Sequence, residues 1–458
     1  MKIAVLGGGG VRSPMLAKSI INRAEQLGID EVVFMDNDGE KLRIYGGLSR
    51  KIAGLIDSNI SFSLTTDPVE AVKDADFIIT TLRVGGDKGR TLDERIALSH
   101  GILGQETTGA GGFAMAMRSI PALLEYCKLV KENAKPGALI FNFTNPSGLV
   151  TQALRDEGYD NVYGICDNPS GFIKELETFT GADHKDVSVE CFGLNHLSWF
   201  RSFRVKGQEK IDELINDPLL YKKTEMRFFD PELVKSMGML FNGYLYYYYS
   251  REKAVENISK SGKTRGETIL EINNQMHDEL ASLDVEKDFE KAIKIYMKYH
   301  KMREDSYMAI ESGTEREDKK ELEFDLGVKG QDDGGYAGVA LNFVESLVTG
   351  RETEMVLSVP NNGSIEGLND NDVVEVTCRI GKDGAKPIKI GKVDEMQMYL
   401  IRQVKLYERL AAEAIRTKSV ETARKALMVH PLVNSYSLAK ELVKEYLEAH
   451  SQYVGQWH

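Results

Sequence analysis

The sequence predicts an α/β protein: an N-terminal doubly wound, mostly parallel sheet, followed by a larger α+β part. Two observations predict it. Short, continuously apolar runs recur with helical stretches between them, the pattern of a parallel sheet covered on both faces. The first of these runs ends in a glycine-rich turn that leads directly into a helix.

The elements follow in order. In "KIAVLGGGGVRSPMLAKSIINRAEQLG" residues 2–6 form a short buried strand. After the glycines, Ser13 is expected to cap a helix with Pro14 at its first position. Leu16, Ile20, Ala24 and Leu27 then recur at helical spacing. "EVVFMDND" is the second strand and ends at Asp36. Further strands are expected in "ADFIITTL" (75–82), "GALIFNFTN" (137–145) and "NVYGICD" (161–167), with a helix over "SIPALLEYCKLVKENA".

Strand, glycine turn, helix and an acid at the next strand end together have the shape of a dinucleotide site. Gly8 and Gly10 let the backbone approach a pyrophosphate, and Ser13 stands where such loops more often carry a third glycine. Asp36 is placed to accept from a ribose 2′-OH, which favours NAD. In such sheets the ligand lies beyond the carboxyl ends of the strands. "LRVGG", "NPSG" and "CDNP" all fall at such ends and are read as one site. We divide the chain into a nucleotide-binding part, 1–165, and a remainder, 166–458, that supplies the rest of the site.

Composition narrows the function. The 458 residues are 42% hydrophobic and 28% charged, as in an ordinary globular protein. A net charge of −12 argues against nucleic acid or an anionic membrane as partner, and an anionic substrate would need a local basic pocket. Cys127, Cys166, Cys191 and Cys378 are too few and too scattered for a disulfide framework and fit a reducing cytosol. The N-terminal apolar stretch is too short for a signal peptide, and no apolar run approaches a membrane span.

Several residues could carry chemistry. Cys166, in "GICDNPSG", could be core, a redox thiol or a metal ligand, and His196, in "ECFGLNHLSWF", is its possible partner. Neither belongs to a zinc motif; two such ligands would leave open positions for substrate and water. "LRVGGDKGRTLDER" supplies Arg83, Lys88, Arg90 and Arg95, either as a solvated loop or as a basic pocket. Glu106 lies in "GILGQETTGAGGF", a stretch too glycine-rich for a plain helix. "FNGYLYYYYSREK" (241–253) reads as a tyrosine-dense helix.

Assembled, these segments resemble the NAD- and metal-dependent glycosidases of glycoside hydrolase family four, and among them the 6-phospho-β-glucosidases. The resemblance runs from residue 1 to about 450. It rests on "GGGGVRSP", "LRVGGDKGRTLDERIALSHGILGQETTGAGGF", "NFTNPSG", "GICDNP", "FGLNHLSW", "NGYLYYYY", "NNGSIEGL" and "KLYERLAAEAI". It implies that Cys166 and His196 are Mn²⁺ ligands, and that Tyr244 is the catalytic base with Glu106 raising its basicity. It implies that Arg90, Asn145 and Arg265 bind substrate, Arg265 towards a 6-phosphate. Gly8, Gly10 and Asp36 match the NAD site. The fold implied for the first part is that of the lactate and malate dehydrogenases, and the assembly a homodimer or homotetramer.

Three departures stand out. Val11 and Arg12 replace polar residues of the family's nucleotide loop. Asp167 follows the metal cysteine where β-type members usually have Asn; in the α-type this residue is an aspartate acting as general acid. "DDGGYAGV" (332–339) stands where the family often carries an arginine before two glycines.

The chemistry implied is unusual. Ordinary glycosidases use two opposed carboxylates, and NAD-dependent ones are an exception. NAD⁺ would take hydride from sugar C3, Tyr244 would remove the acidified C2 proton, and the C1 substituent would be eliminated. Water then adds and the hydride returns. The alternatives are a 6-phospho-α-glucosidase or another member of the family, a lactate/malate-type dehydrogenase, and a non-catalytic NAD sensor. The dehydrogenase leaves Cys166 and Tyr244 unexplained; the sensor leaves the metal and tyrosine segments idle.

Overall fold

The computed structural model describes residues 1–314, 323–330 and 335–458, with residues 335 and 336 described by their backbone. The stretch 332–334, which opens the sequence DDGGYAGV, lies outside the described residues. The first sheet starts with β1 (Lys2–Leu6), followed by α1 (Ser13–Leu27), β2 (Glu31–Met35), β3 (Ser61–Thr65) and β4 (Phe77–Thr80). Then come α2 (Gly86–Ser99), α3 (Gly109–Asn133), β5 (Leu139–Asn142), α4 (Ser147–Asp156), β6 (Val162–Gly164) and α5 (Asp167–Thr180).

These six strands pair in parallel in the order 3-2-1-4-5-6. The order reverses between β1 and β4, where doubly wound sheets open a crevice for ligands. The expected strands are all present. β3 sits at the sheet's edge with no fully buried residue, so its apolar signal in the sequence is faint.

The second part contributes β7 (Val187–Leu194), β8 (Leu197–Val205) and β9 (Leu240–Phe241), an antiparallel sheet in the order 9-8-7. Helices α6 (Arg265–Ala281) and α7 (Phe289–Asp305) follow, then β10 (Thr353–Pro360), β11 (Val373–Gly381) and β12 (Gly384–Pro387). These last three are antiparallel and continue the first sheet beyond β6, so the nine-stranded sheet draws on residues either side of 165. The Thr377 side chain on β11 ties the two sheets together: its hydroxyl donates to the Val189 carbonyl (3.1 Å) and accepts from the Cys191 N–H (3.0 Å). Helices α8 (Glu395–Thr417) and α9 (Tyr436–Ala449) close the chain. No helix among the described residues is long and apolar enough to cross a membrane.

Three local expectations differ from the structure. Ser13 is the first residue of α1, and Arg12 takes the cap position without a side-chain bond. The turn supplies its own backbone bonds instead, Gly10 N–H to Gly7 O and Ser13 N–H to Gly10 O, both 3.0 Å. The tyrosine-dense stretch is not one helix. A 3₁₀ turn (Gly243–Leu245) and a short helix (Tyr246–Tyr249) break at Ser250 before a second helix, Arg251–Ser261. Asn242 forces the tight turn, its Oδ1 accepting the Tyr244 N–H at 3.0 Å. The arginine-rich stretch after β4 is neither loop nor solvated throughout: it forms α2 and buries Arg90.

A buried ion pair fixes α2 beneath the site. Arg118 on α3 binds Asp93 on α2 through two bonds of 2.8 and 2.6 Å, with both side chains 1% exposed. The Tyr446 hydroxyl donates to the Asp93 carbonyl (3.1 Å), and His450 Nε2 lies 2.6 Å from its carboxylate, so the C-terminal helix joins the same lock. Removing one partner of such a pair strands the other charge in the core, at a cost of about 3–5 kcal/mol. Arg118→Met should therefore lower the urea midpoint markedly; an unchanged midpoint would show that α2 is held by other contacts.

Candidate functional site

A cavity of about 1150 Å³ opens along the carboxyl ends of the parallel strands. Gly10, Asp36, Arg90, Glu106 and Asn145 line it, together with Cys166, Asp167, His196, Tyr244 and Arg265. Gly8 and Ser13 do not: a side chain at Gly8 would meet Phe34 Cβ at 2.6 Å, so that glycine serves packing on β2, and Ser13 is buried. Gly7 and Gly9 face the cavity in their place. Gly7 adopts φ +102°, and a Cβ there would lie 2.6 Å from the Thr81 carbonyl.

At the nucleotide end, Asp36 Oδ2 accepts the Gly9 N–H and Oδ1 the Asp38 N–H, each at 3.0 Å. Burial raises its pKa against these bonds. A backbone cradle, a helix N-terminus and a carboxylate at the strand end fit a dinucleotide.

The metal candidates meet across the two sheets. Cys166 directly precedes α5 at the end of the β6 segment. His196 sits in the Asn195–His196 turn between β7 and β8 at φ +63°. Cys166 Sγ and His196 Nε2 are 3.6 Å apart. That separation would let both atoms reach one divalent cation, for which thiolate and imidazole are ordinary donors.

The histidine's tautomer follows from its neighbours. Gln105 Oε1 accepts the Thr107 and Thr108 N–H groups (2.6 and 2.7 Å) and the Thr107 hydroxyl (2.9 Å). The Thr107 oxygen is thereby left to accept from His196 Nδ1–H at 3.0 Å. Nε2 then carries the lone pair, facing the sulfur, an outer-shell arrangement usual for metal-binding imidazoles. Burial pushes His196 down to about 4, Glu106 opposing, so it is neutral near pH 7. Burial first, then the charges of Glu375 and Asp167, push the Cys166 thiol up; a bound cation would reverse this. No group of three or more His, Cys, Asp or Glu suited to a metal occurs among the described residues, so two protein donors would leave further positions open.

Tyr244 stacks flat on His196, ring centroids 3.7 Å apart and planes at 3°. Glu106 receives Arg83 Nη1 at 2.6 Å and Arg90 Nη1 at 3.1 Å. Burial works against its charge, but Arg83, Arg90 and Arg265 outweigh it and hold the carboxyl well below the ordinary range. Arg90 Nε also binds Glu94 at 2.8 Å. Arg265 opens α6, bonds the Ser306 hydroxyl at 3.1 Å and lies over the Tyr307 ring. With Arg12 and Arg303 these make five arginines lining the cavity of an acidic protein. Asp167 is half-buried and pairs with Arg12 Nη1 at 3.2 Å; burial raises its pKa and Arg12 opposes the rise.

Sequence reasoning missed Thr107, Gln105, Asn195 and Glu375. Glu375 alone left a readable trace, a carboxylate inside the apolar run "VVEVTC".

Residues 2–182 match the model of the family 4 glycosyl hydrolases, and residues 191–433 match the family 4 glycosyl hydrolase C-terminal domain. The chain is 32% identical to a probable 6-phospho-β-glucosidase of Bacillus subtilis, covering 100% of this chain and 98% of that one. The solved 6-phospho-β-glucosidase of Thermotoga maritima, with manganese, NAD⁺ and glucose-6-phosphate, is 32% identical with a TM-score of 0.81, covering 99% of both chains. A solved 6-phospho-α-glucosidase from gut microorganisms, with NAD and glucose-6-phosphate, is 27% identical with a TM-score of 0.82, covering 100% of this chain and 99% of the other.

The protonation states set a pH dependence. Binding a divalent cation must displace the Cys166 proton, whereas His196, pushed down to about 4, has none to lose near neutrality. Affinity for Co²⁺ or Mn²⁺ should therefore rise about ten-fold per pH unit between about pH 6 and 8, with one proton released per ion. A slope near two would mean that His196 is protonated in the free protein.

Proposed function

Because the chain belongs to glycosyl hydrolase family 4, we propose that it hydrolyses 6-phospho-β-glucosides using NAD and a divalent ion, Mn²⁺ by preference. The observation that carries this reading is the meeting, in one cavity, of the glycine turn, the Cys166–His196 pair at 3.6 Å and the Tyr244 ring stacked on His196. When bound, the dinucleotide supplies a hydride acceptor and the divalent ion a Lewis acid.

The chain's own residues do the rest. Residues 1–165 hold the dinucleotide at Gly10 and Asp36; residues beyond 165 bring the metal ligands and the base. Tyr244 takes the proton from sugar C2, and its stacking on the imidazole fixes the phenol at the metal site. Glu106, held ionised by its arginines, keeps negative charge in the same cavity and so raises the phenol's basicity. Arg90 and Arg265 recognise the anionic sugar, since guanidinium matches phosphate geometry. Asn145 offers an amide to a sugar hydroxyl at the end of the β5 segment. The four free cysteines are in keeping with a reducing cytosol, and we retain a homodimer or homotetramer as the expected assembly.

A second reading, a 6-phospho-α-glucosidase, is favoured by Asp167. This carboxyl lines the cavity beside Cys166 with a raised pKa, and could protonate a leaving oxygen.

Paired assays of p-nitrophenyl β- and α-glucoside 6-phosphates and their unphosphorylated forms, with NAD⁺, Mn²⁺ and a thiol reductant, test the proposal. The phosphorylated β-anomer should turn over fastest; equal turnover without phosphate would remove the arginines from recognition. Tyr244→Phe should cut turnover by about 10²–10⁴-fold, the usual loss of a positioned base. Asp167→Asn discriminates the readings. If Asp167 is an acid, a phosphorylated disaccharide should suffer far more than the nitrophenyl substrate, whose leaving group needs no proton. A parallel loss on both would leave Asp167 a structural partner of Arg12.

A further inference from the structure

Glu375 lies on β11, 2% exposed, and is not used in the chemistry above. Its carboxylate accepts the Asn195 side-chain N–H (2.9 Å) at one oxygen and the Ser198 hydroxyl (2.9 Å) at the other. Asn195 is the residue before His196 in the hairpin turn, and its Oδ1 accepts the Gly148 N–H at 3.4 Å. Ser198 Oγ in turn accepts the Asn242 side-chain N–H (3.1 Å), and Asn242 Oδ1 holds the Tyr244 N–H (3.0 Å). One carboxylate thus reaches two turns: the one that presents His196 and the one that presents Tyr244.

Glu375 forms no ion pair among the described residues, and its hydrogen-bond donors are neutral. Burying a carboxylate without a cation is costly, and a neutral amide would satisfy a merely structural need more cheaply. Burial pushes Glu375 up to about 7 against its bonds to Asn195 and Ser198, and a cation just beyond Asn195 would favour its ionised form.

We propose that Glu375 is the positioning residue of the metal site: through Asn195 it orients the turn that presents His196 to Cys166 and balances a divalent ion's charge, and through Ser198 and Asn242 it sets Tyr244. The proposal rests on the metal reading given above. Outer-shell carboxylates of this kind, when lost, typically cost about 10–100-fold in metal affinity.

The test is titration of the full chain with Co²⁺ alone, read by the thiolate-to-cobalt absorption band, with NAD affinity measured in parallel. Glu375→Gln should weaken Co²⁺ binding at least about ten-fold while NAD affinity stays within about two-fold. Ser198→Ala cuts only the branch towards Tyr244; it should keep Co²⁺ affinity and lower kcat with KM little changed. If Glu375→Gln does not accumulate as folded protein, Asn195→Ala breaks the same link at a partly exposed position and carries the same expectation. Wild-type Co²⁺ affinity in the variant, or parallel loss of NAD affinity, overturns the proposal. Absence of the band in the unsubstituted protein would instead overturn the metal reading, and the proposal with it.

Discussion

Everything at this site depends on holding a sulfur and an imidazole nitrogen 3.6 Å apart when they belong to different sheets. Cys166 ends the parallel sheet segment; His196 caps a hairpin of the antiparallel one. Neither position is adjustable alone. The hairpin turn needs a left-handed residue at His196 and a glycine at 193, where a Cβ would lie 2.2 Å from the Leu197 carbonyl. Thr377 then pins that hairpin to β11. The Thr107 hydroxyl fixes which imidazole nitrogen faces the sulfur.

Electrostatics divides the cavity by task. At the nucleotide end, the glycine turn and the Asp36 carboxylate line the cavity, groups of the kind that suit a pyrophosphate and a ribose. At the other end, Arg83 and Arg90 bond Glu106, and further arginines and carboxylates, Arg265 and Arg303 with Asp167 and Glu304, share the cavity wall. Part of that positive charge is already spent: Arg90 is shared between Glu94 and Glu106. That shared charge keeps Glu106 ionised despite its burial.

How much of this could be read in the sequence follows from the range of the forces involved. The strands, the glycine turn and Asp36 are local patterns, and their positions were legible. Resemblance named Cys166, His196, Tyr244 and Glu106, and the fold brings all four to one cavity. Ser13 misled because the glycine turn supplies its own backbone bonds and needs no side-chain cap. The tyrosine segment misled because Asn242 ties a turn that helical spacing does not reveal. Thr107 acts through a contact 89 residues away along the chain, and Asn195 and Glu375 through one 180 residues apart, and no local pattern encodes such separations.

The central claim is that cleavage proceeds through removal of the sugar C2 proton by Tyr244, with the cofactor restored in each cycle. Hydrolysis of a 6-phospho-β-glucoside in D₂O, followed by mass and NMR analysis of the released sugar phosphate, tests it most directly. The account predicts deuterium at C2 in the product, strict dependence on NAD⁺ and no accumulation of NADH. Product retaining its original C2 hydrogen, formed at full rate without NAD⁺, would contradict it.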